Sequence, residues 1–232
     1  MNGGAGRVIA SIPAFEKLLE KDEDFIIVCE GGTDFYKGHP TLHERAYDNW
    51  HKNLFRDYVK ERDCITPEPY RVWEYYNQKC SLAQAFDIAI NNEGIRELQD
   101  AKIYMNKHEL VHGYKVVEEV KAVTGKDKVV VFQPFGRTAE NMGDFVIDGT
   151  SRSFHLNDVI RICKDLKEDY AVILMSEFPV QIEENPKVPV AVPQIPDVRV
   201  WSSVIQIADH FLGCDSLGQH MAKALGTTCT SV

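Results

Sequence analysis

The chain has 232 residues, 44% of them hydrophobic and 26% charged, and its formal net charge is -9 at pH 7. This composition is typical of a globular protein, and the length allows one large domain or two smaller ones. The acidic balance argues against broad binding to nucleic-acid phosphates or to anionic membranes.

Three features that the sequence lacks narrow the class of protein further. No apolar run approaches the ~20 residues that a membrane-spanning helix needs, and the N-terminus lacks the order of a secretion signal. The six cysteines form no C-x-x-C pair, and most lie in apolar segments, so we interpret them as reduced thiols. The sequence therefore predicts a soluble, cytoplasmic protein without a transmembrane segment.

The N-terminal half opens with a glycine-rich loop. Apolar residues recur at helical spacing over residues 8–19, and Pro13 belongs near a first turn, so the regular helix is predicted to begin close to it. Phe25–Cys29 is predicted to be a buried strand, and residues 34–100 to form short helices and loops. A doubly wound fold needs a strand before Gly3, where only two residues stand. Either the natural chain begins further upstream or the first strand is missing.

The C-terminal half alternates strands with helices. A helix over Lys107–Val123, ended by Gly125, precedes the strand Val129–Gln133, and we place a domain boundary between them, giving domains 1–125 and 126–232. The remaining predicted elements are a glycine-rich loop Pro134–Ser153, a helix His155–Glu168, a strand Ala171–Met175, a proline-rich passage to Pro196, a helix Ser202–Asp209, a strand His210–Cys214, a helix Gly218–Leu225 and a strand Thr227–Val232. This order predicts an α/β fold with a mainly parallel, doubly wound sheet that binds ligands at the carboxyl ends of its strands.

The segment GCDSLGQHMAKALG, residues 213–226, places a turn between a strand and a helix. The first N–H groups of a helix lack internal partners and carry about half a positive charge, so a phosphate can bind there. Gly218 would let the backbone approach closely, Ser216 is a candidate N-cap, and His220 can donate to a phosphate oxygen. On spacing alone, an ordinary strand-to-helix turn is an equally good interpretation.

The same turn and helix, from Asp215 to Gly226, resemble the D-[ST]-G-x-x-H-x-A-x-A-L-G signature of the heptosyltransferase-like glycosyltransferases of family nine. Three weaker matches occur in the family's order. Residues 3–14 are similar to its opening G-x-x-G-D-x-[IV]-x-x-x-P-[AS], Val131–Gly136 resembles its H-P-G segment, and Thr150–Phe154 falls where the family has S-K-x-W. Residues 34–110 show no match. The resemblance implies the GT-B fold, in which two Rossmann-like, doubly wound domains face each other.

The resemblance also implies a nucleotide-sugar donor site in the C-terminal half and an acceptor site in the N-terminal half. Arg152 would take the place of the family's lysine beside the diphosphate, Glu177 would hold a ribose, and Asp215 would orient the sugar. A helix N-terminus and an arginine can stabilise a departing nucleoside diphosphate, so neither a metal nor a cofactor is expected. The turn residues that would hold the diphosphate are Ser216, Leu217, Gly218, Gln219 and His220.

Arg7 departs from the family pattern, because the general base is expected to be an aspartate at this position. A protonated arginine cannot accept a proton from an acceptor hydroxyl. Either another carboxylate is the catalytic base, with Asp34 as the candidate, or the N-terminal site has another role. Gly4, Gly6 and Arg7 would then bind an anionic acceptor or a phosphate. An ordinary surface arginine at a helix start is an equally good interpretation.

Two other departures concern the turn and the length of the chain. Leu217 stands where the family usually has a glycine. Its side chain limits how closely a phosphate can come to the backbone of the turn. The chain stops directly after the strand that follows the signature helix, whereas the family usually continues through helices that cross back to the N-terminal domain. The predicted fold is therefore GT-B-like, and the first strand and the C-terminal helices are the parts that the sequence does not supply.

Other functions fit the sequence less well. A dinucleotide fingerprint needs a glycine where Ile9 stands, so hydride transfer is not expected. His108 and His112 lie one helical turn apart without a third ligand, which favours a surface pair over a metal site. The aromatic residues between 50 and 76 could stack on sugars, but such residues more often close a small core. The leading hypothesis is an inverting glycosyltransferase with an unknown acceptor. Its rival is a non-catalytic GT-B-like binding or assembly protein, which Arg7 favours.

Overall fold

The computed structural model describes residues 1–182 and 190–232, which divide into two compact units, Met1–Tyr104 and Met105–Val232. Both units combine helices with parallel strands, as the predicted α/β class requires. The division falls at residue 104 rather than after residue 125, because α4 (Lys107–Thr124) packs on α6 (Val198–Ile207). The helix that precedes the predicted boundary therefore belongs to the C-terminal unit.

The N-terminal unit is built on two packed helices and one short parallel pair of strands. The helices are α1 (Ala5–Leu19) and α3 (Leu82–Asn91), and α2 (Trp73–Tyr76) is a single turn. The strands are β1 (Ile27–Cys29), within the predicted strand, and β2 (Ala46–Asp48). Apolar side chains of α1 and β1 share one buried core.

Backbone hydrogen bonds place Met1 beside β1. Its carbonyl accepts from the N–H of Glu30 at 3.0 Å, and its amino group donates to the carbonyl of Val28. Met1 therefore lies against β1 just before the glycine-rich loop, in the position where a doubly wound fold needs a strand.

The prediction that the regular helix begins near Pro13 was wrong. The helix begins at Ala5, and Pro13 lies inside it. An internal proline removes one backbone hydrogen bond and costs about 3 kcal/mol in an exposed helix. Here Val8, Ile12 and Phe15 are all buried in the core against β1, and we attribute the continuation of the helix through the proline to this burial.

Several aromatic side chains of the N-terminal unit are exposed, against the expectation that they close a core. Trp50 is 87% exposed, and Phe55, Trp73 and Tyr76 are also largely exposed. Other side chains fill the interior of this unit, namely Phe35, Tyr36 and Phe86. Residue type alone did not separate the two groups, because both consist of aromatic residues.

The C-terminal unit contains a four-stranded parallel sheet in the order β6-β3-β7-β8. The predicted strands are confirmed: β3 (Val129–Gln133) has its predicted bounds, and the other three are slightly shorter than predicted, namely β6 (Ala171–Leu174), β7 (His210–Gly213) and β8 (Cys229–Ser231). Every residue of β3 and β6 is buried, as expected for strands covered on both faces. The helices of this unit are α4, α5 (Leu156–Leu166), α6 and α7 (Leu217–Leu225).

Capping residues explain the helix ends. The helix α4 begins at a capping box formed by Asn106 and Glu109, and it ends at Gly125 with a φ of 68°, as predicted. The helix α6 begins earlier than its predicted start at residue 202, because the Asp197 carboxylate accepts the N–H of Arg199 at 2.8 Å.

The predicted loop Pro134–Ser153 contains an antiparallel hairpin that the sequence did not indicate. Its strands, β4 (Ala139–Asn141) and β5 (Val146–Asp148), have three residues each, too few for a clear alternating pattern. In the proline-rich passage, Ala191 bridges to Ile173, and residues 183–189 of that passage lie outside the described residues.

The helices and the cysteines bear on the predicted membrane and redox properties. Among the described residues, no helix is both long enough and apolar enough to span a membrane. All the cysteines are free thiols. Cys29, Cys163 and Cys214 are buried, whereas Cys64 and Cys229 are exposed, so only part of the set belongs to the core.

The contact between α4 and α6 predicts the effect of Gly113→Ala. In an open helix this change stabilises by about 1 kcal/mol, but here the new Cβ would lie 2.1 Å from Ser203 Oγ and 2.7 Å from its carbonyl carbon. We expect the free energy of unfolding to fall by about 1–3 kcal/mol, measured by urea denaturation. Gly94→Ala is the control, since its Cβ would meet nothing within 4 Å. An unchanged or increased stability of Gly113→Ala would contradict the packing.

Candidate functional site

The signature turn lies at the carboxyl edge of the parallel sheet. It connects β7 to α7, and β7 pairs with β3 so that Gly213 stands opposite Gln133. The N–H of Cys214 also donates to the carbonyl of Gln133 at 3.0 Å. The segment after β3 and the turn after β7 therefore leave the sheet side by side, where parallel α/β sheets place their ligands.

Ser216 occupies the N-cap position of α7, as predicted, but its side chain makes no capping hydrogen bond. Its backbone is extended, with φ of -148° and ψ of -167°. The N–H groups of Leu217 and Gln219 belong to the first turn, where a helix supplies no internal acceptor. The positive end of α7 is therefore not closed by its own cap.

Gly218 serves a packing role that the sequence did not predict. A Cβ on this residue would lie 2.3 Å from Phe211 Cζ and 2.4 Å from Gln133 Oε1. Its N–H already donates to Gln133 Oε1 at 2.9 Å, while Gln133 Nε2 donates to the carbonyl of Phe135 at 3.2 Å. Gln133 thus takes one of the N–H groups that the sequence assigned to a phosphate.

Arg152 comes from a distant part of the chain to the same turn. Its Nε lies 3.9 Å from Asp215 Oδ2, and both side chains are more than half exposed. The Gln219 side chain donates to the other oxygen of Asp215. The structure therefore brings together Arg152, Asp215 and the start of α7, which the sequence resemblance had associated.

His220 lies in the first turn of α7 and is half-buried. Burial lowers the pKa of its ring, the Asp215 carboxylate raises it, and Arg152 and Lys223 lower it further. The net shift is downward from 6.5, so the imidazole is neutral at pH 7. A neutral ring can still donate one N–H to an oxygen anion.

Asp148 is a charged residue of this region that sequence reasoning missed. Burial pulls its pKa upward, but hydrogen bonds from Ser153, Thr138 and Thr150 outweigh that effect and hold the pKa well below its usual range. The carboxylate is therefore ionised at any physiological pH. The run Asp-Gly-Thr-Ser-Arg-Ser at residues 148–153 was the available signal, since aspartate followed by hydroxyl residues favours such turns.

Glu177 lies in an exposed loop that follows β6. The adjacent Phe178 packs against Phe135 with ring centroids 5.0 Å apart, and Ser176 donates to the carbonyl of Phe178. Because Phe135 follows β3, this loop lies at the same edge of the sheet as the turn. A ribose-binding role for Glu177 stays a prediction.

In the N-terminal unit, Gly4 is the N-cap of α1 and Gly6 lies in its first turn. Arg7 follows them with a side chain only 14% exposed. Its guanidinium donates to Glu68 Oε1 at 3.3 Å, to Asn2 Oδ1 at 3.1 Å and to the carbonyl of residue 67 at 3.3 Å.

Two aromatic rings complete the surroundings of the Arg7 side chain. Its guanidinium carbon lies 5.1 Å from the centroid of the Tyr70 ring and 5.7 Å from that of Phe86. Arg7 is therefore not an ordinary surface residue, and its positive charge is already paired with Glu68. It ties the segment around Glu68 to the start of α1.

Asp34 lies in a short 3-10 helix, Thr33–Tyr36, directly after β1. Its carboxylate accepts a hydrogen bond from Lys37 Nζ, and its side chain is 39% exposed. The residue is thus a solvent-accessible carboxylate beside a cation, and its role as a base stays a prediction.

The rings of His108 and His112 contact each other on α4, with centroids 4.3 Å apart and an interplanar angle of 55°. Within residues 1–182 and 190–232, no group of three or more His, Cys, Asp or Glu side chains is arranged to hold a metal ion. These two histidines therefore have no third ligand among the described residues.

The contacts of Arg7 predict that Arg7→Asp destabilises the fold. The substitution removes the hydrogen bonds from the guanidinium to Glu68, Asn2 and the carbonyl of residue 67, and it places a second carboxylate beside Glu68, at a partly buried position. We expect the free energy of unfolding to fall by about 2 kcal/mol, measured by urea denaturation. The matched control is Arg71→Asp, which makes the same change of charge at an exposed residue of the same unit. Equal stability of the two variants would contradict the tether.

The lowered pKa of His220 predicts a pH dependence of stability. Below pH ~6.5 the unfolded chain protonates this histidine while the folded chain resists, so the free energy of unfolding falls as pH drops toward the folded pKa. We expect wild type to lose more stability between pH 7 and pH 5 than His220→Gln does, by urea denaturation at each pH. Parallel pH profiles would show that burial does not suppress protonation of His220.

The fold of this chain is similar to that of several solved structures. No protein-family model matches the chain, and no curated protein matches it in sequence. The structure of the glycosyl transferase family 9 from Veillonella parvula DSM 2008 has a TM-score of 0.67 and 10% identity, covering 100% of this chain and 78% of that chain. The E. coli ADP-heptose lps heptosyltransferase II has a TM-score of 0.63 and 10% identity, covering 99% of this chain and 82% of that one.

A third structure adds a bound ligand to the comparison. It is the E. coli heptosyltransferase WaaC with ADP-2-deoxy-2-fluoro heptose, with a TM-score of 0.57, 11% identity and coverage of 99% of this chain and 86% of that one. At such low identity the likeness concerns the fold, and it extends over nearly the whole chain. The chain therefore has the GT-B-like fold of the family nine glycosyltransferases and heptosyltransferases, as its sequence motifs predicted.

Proposed function

We propose that the C-terminal unit binds the diphosphate of a nucleoside-diphosphate sugar and that the protein transfers the sugar to an acceptor. The observation that carries this proposal is the convergence of Arg152 on the N-terminus of α7, 3.9 Å from Asp215. Arg152 and Asp215 are far apart in the sequence, yet both lie at the carboxyl edge of the sheet. A guanidinium beside a helix N-terminus is a favourable site for a phosphate.

The chemistry of transfer explains why these groups would be useful. As the bond from the sugar to the diphosphate breaks, negative charge builds on the departing phosphate oxygen. Arg152 and the N–H groups of Leu217 and Gln219 would stabilise that charge, because they are present before the reaction and need little rearrangement. The neutral His220 would donate one further hydrogen bond. None of these contributions requires a metal.

The remaining donor contacts follow from position. Asp215 is largely exposed and is held by Arg152 and Gln219, so its carboxylate would face the hydroxyl groups of a sugar attached to the diphosphate. Glu177, in the loop after β6, would accept the hydroxyls of a ribose. Because the E. coli structures with this fold include an ADP-heptose enzyme and a complex with an ADP-sugar analogue, ADP is the first nucleotide to test.

The acceptor must lose a proton when its oxygen attacks the sugar. Arg7 cannot accept it, since it stays protonated and is bonded to Glu68. We propose Asp34 as the base, because it is an accessible carboxylate directly after β1. Attack of the acceptor oxygen from the face opposite the diphosphate would invert the sugar carbon, and the proton would pass to the carboxylate.

A second candidate function is binding without transfer, in a carrier or assembly protein. The observation that favours it is Arg7, which occupies the expected place of the base and serves as a structural tether instead. Fold alone does not decide between catalysis and binding. Both functions require the diphosphate site. Only sugar transfer releases free nucleoside diphosphate, so that release distinguishes the two functions.

The proposal predicts which side chains control nucleotide affinity. Calorimetry with ADP, UDP, GDP and CMP should detect binding of one diphosphate to the wild type. Arg152→Ala should weaken it about 10-fold or more, because a charge-assisted hydrogen bond contributes about 1.5–3 kcal/mol. The combined Arg152→Ala, His220→Ala variant should weaken it further.

A matched control separates this effect from a general loss of positive charge. Arg161 on α5 is exposed and pairs with the neighbouring Asp158, so Arg161→Ala should leave the affinity unchanged. Folding of each variant is checked by circular dichroism. The site is not where we place it if no diphosphate binds to the folded wild type. The same conclusion follows if Arg152→Ala and Arg161→Ala weaken nucleotide binding equally. Binding with no transfer to any sugar acceptor would support the second function.

A further inference from the structure

The strongest polar cluster outside the proposed donor contacts is centred on Asp148. One carboxylate oxygen accepts the hydroxyl of Thr138 at 2.6 Å, the N–H of Thr150 at 2.9 Å and the Thr150 hydroxyl at 2.7 Å. The other accepts the N–H of Ser153 at 3.1 Å and the Ser153 hydroxyl at 2.6 Å. Arg152 lies in the same loop, between Thr150 and Ser153, which are two of the donor residues.

The same loop is anchored to the end of β3. Ser153 Oγ accepts the N–H of Gly136 at 2.9 Å, and the N–H of Phe154 donates to the carbonyl of Pro134 at 2.9 Å. A Cβ on Gly136 would lie only 3.1 Å from Asp148 Oδ2, so the carboxylate packs directly against this backbone. The loop is thus held both by its own bonds and by the sheet edge.

The residue before Arg152 has an unfavourable backbone conformation. Ser151 has a φ of 56°, in the left-handed region that costs a residue with a side chain roughly 1 kcal/mol or more. The flanking bonds from Thr150 and Ser153 to Asp148 hold this conformation. They therefore determine the direction in which Arg152 leaves the loop.

Asp148 also lies close to the signature turn. Burial raises the pKa of Cys214, at the end of β7, to about 11, and charges on Asp148, Asp215 and Arg152 all act on that thiol. These three charged groups therefore lie near the end of β7. An exposed arginine loses side-chain entropy when it binds an anion, and a loop that already directs it reduces that loss.

We propose that Asp148 is a positioning residue: it holds the 150–153 loop so that Arg152 points at the anion bound by α7. This inference rests on the proposed function, because the anion is the donor diphosphate. Asp148 itself does not touch the nucleotide. Its negative charge is already satisfied by five donors, and its effect on affinity passes through Arg152.

The direct test is Asp148→Asn. An asparagine side chain has one acceptor oxygen and one amide NH2 group. The NH2 group must therefore face the backbone N–H of either Thr150 or Ser153, and two donors cannot form a hydrogen bond with each other. Asp144→Asn is the matched control, because it removes the same charge from an exposed residue of the same hairpin. We expect Asp148→Asn to weaken ADP binding about 5-fold and Asp144→Asn to leave it unchanged.

A double-mutant cycle separates positioning from a general structural effect. In the Arg152→Ala background, Asp148→Asn should change the affinity by less than about two-fold, because the side chain through which it acts is gone. A full 5-fold loss in that background would overturn the positioning role. So would an unchanged affinity of Asp148→Asn in the chain that retains Arg152.

A measurement without nucleotide keeps this inference separate from the proposed function. The NMR order parameter of the Arg152 Nε–H should fall in Asp148→Asn and stay unchanged in Asp144→Asn. If it is unchanged in folded Asp148→Asn, positioning is overturned whatever ADP does. If it falls but wild type binds no diphosphate, the loop geometry stands and the proposed function fails, together with the role of Arg152 as an anion ligand.

Thr138→Val provides a milder variant in case Asp148→Asn does not fold. It removes one hydroxyl donor at an exposed residue and leaves the carboxylate with four donors. We expect a smaller loss of Arg152 order and of ADP affinity, about two-fold. No change in either quantity would contradict the role of the cluster.

Discussion

The parallel pairing of β3 with β7 is the constraint on which the candidate site depends. Gln133 stands opposite Gly213 at the last position of both strands. From there the Gln133 side chain reaches the N–H of Gly218, and the backbone of Gly136 meets the loop that carries Arg152. A shift of this register would separate the helix N-terminus from its arginine. The register of these two strands therefore determines which charged groups meet at the turn.

Positive and negative groups lie side by side at the turn, on a chain whose net charge is -9. The start of α7 and Arg152 supply the positive groups, while Asp215 and Asp148 lie around them with different roles. Asp148 is closed off by hydrogen bonds within its loop, whereas Asp215 is exposed beside Arg152. A bound diphosphate would thus lie beside the exposed carboxylate of Asp215, so the attached sugar would have to be placed where its hydroxyl groups can donate to that carboxylate.

The local signals in the sequence were sufficient for most of the C-terminal unit. Buried strands such as β3 and the glycine that ends α4 have short-range patterns, and the turn motif identified the start of α7. The contacts made by Gly218 could not be predicted, because they depend on Phe211 and Gln133, and Gln133 lies 85 residues away.

The same limit applies in the N-terminal unit. Arg7 was weighed as an anion ligand or as a surface residue, whereas its partner Glu68 lies 61 positions away. Pro13 was expected near a helix start because local propensity ignores the burial of α1 against β1. Asp148 did have a local signal, in the hydroxyl residues that follow it, but only the folded loop shows that Thr150 and Ser153, together with the earlier Thr138, donate to its carboxylate.

The most direct test of the central claim is an amide NMR titration of the 15N-labelled protein with ADP. If α7 and Arg152 form the diphosphate site, the largest shifts will occur at Leu217, Gln219 and the Arg152 loop. A smaller shift is expected at Gly218, whose N–H already donates to Gln133. Saturable shifts centred away from this turn, or none at all in the folded protein, would contradict the assignment of α7 and Arg152 as the diphosphate site.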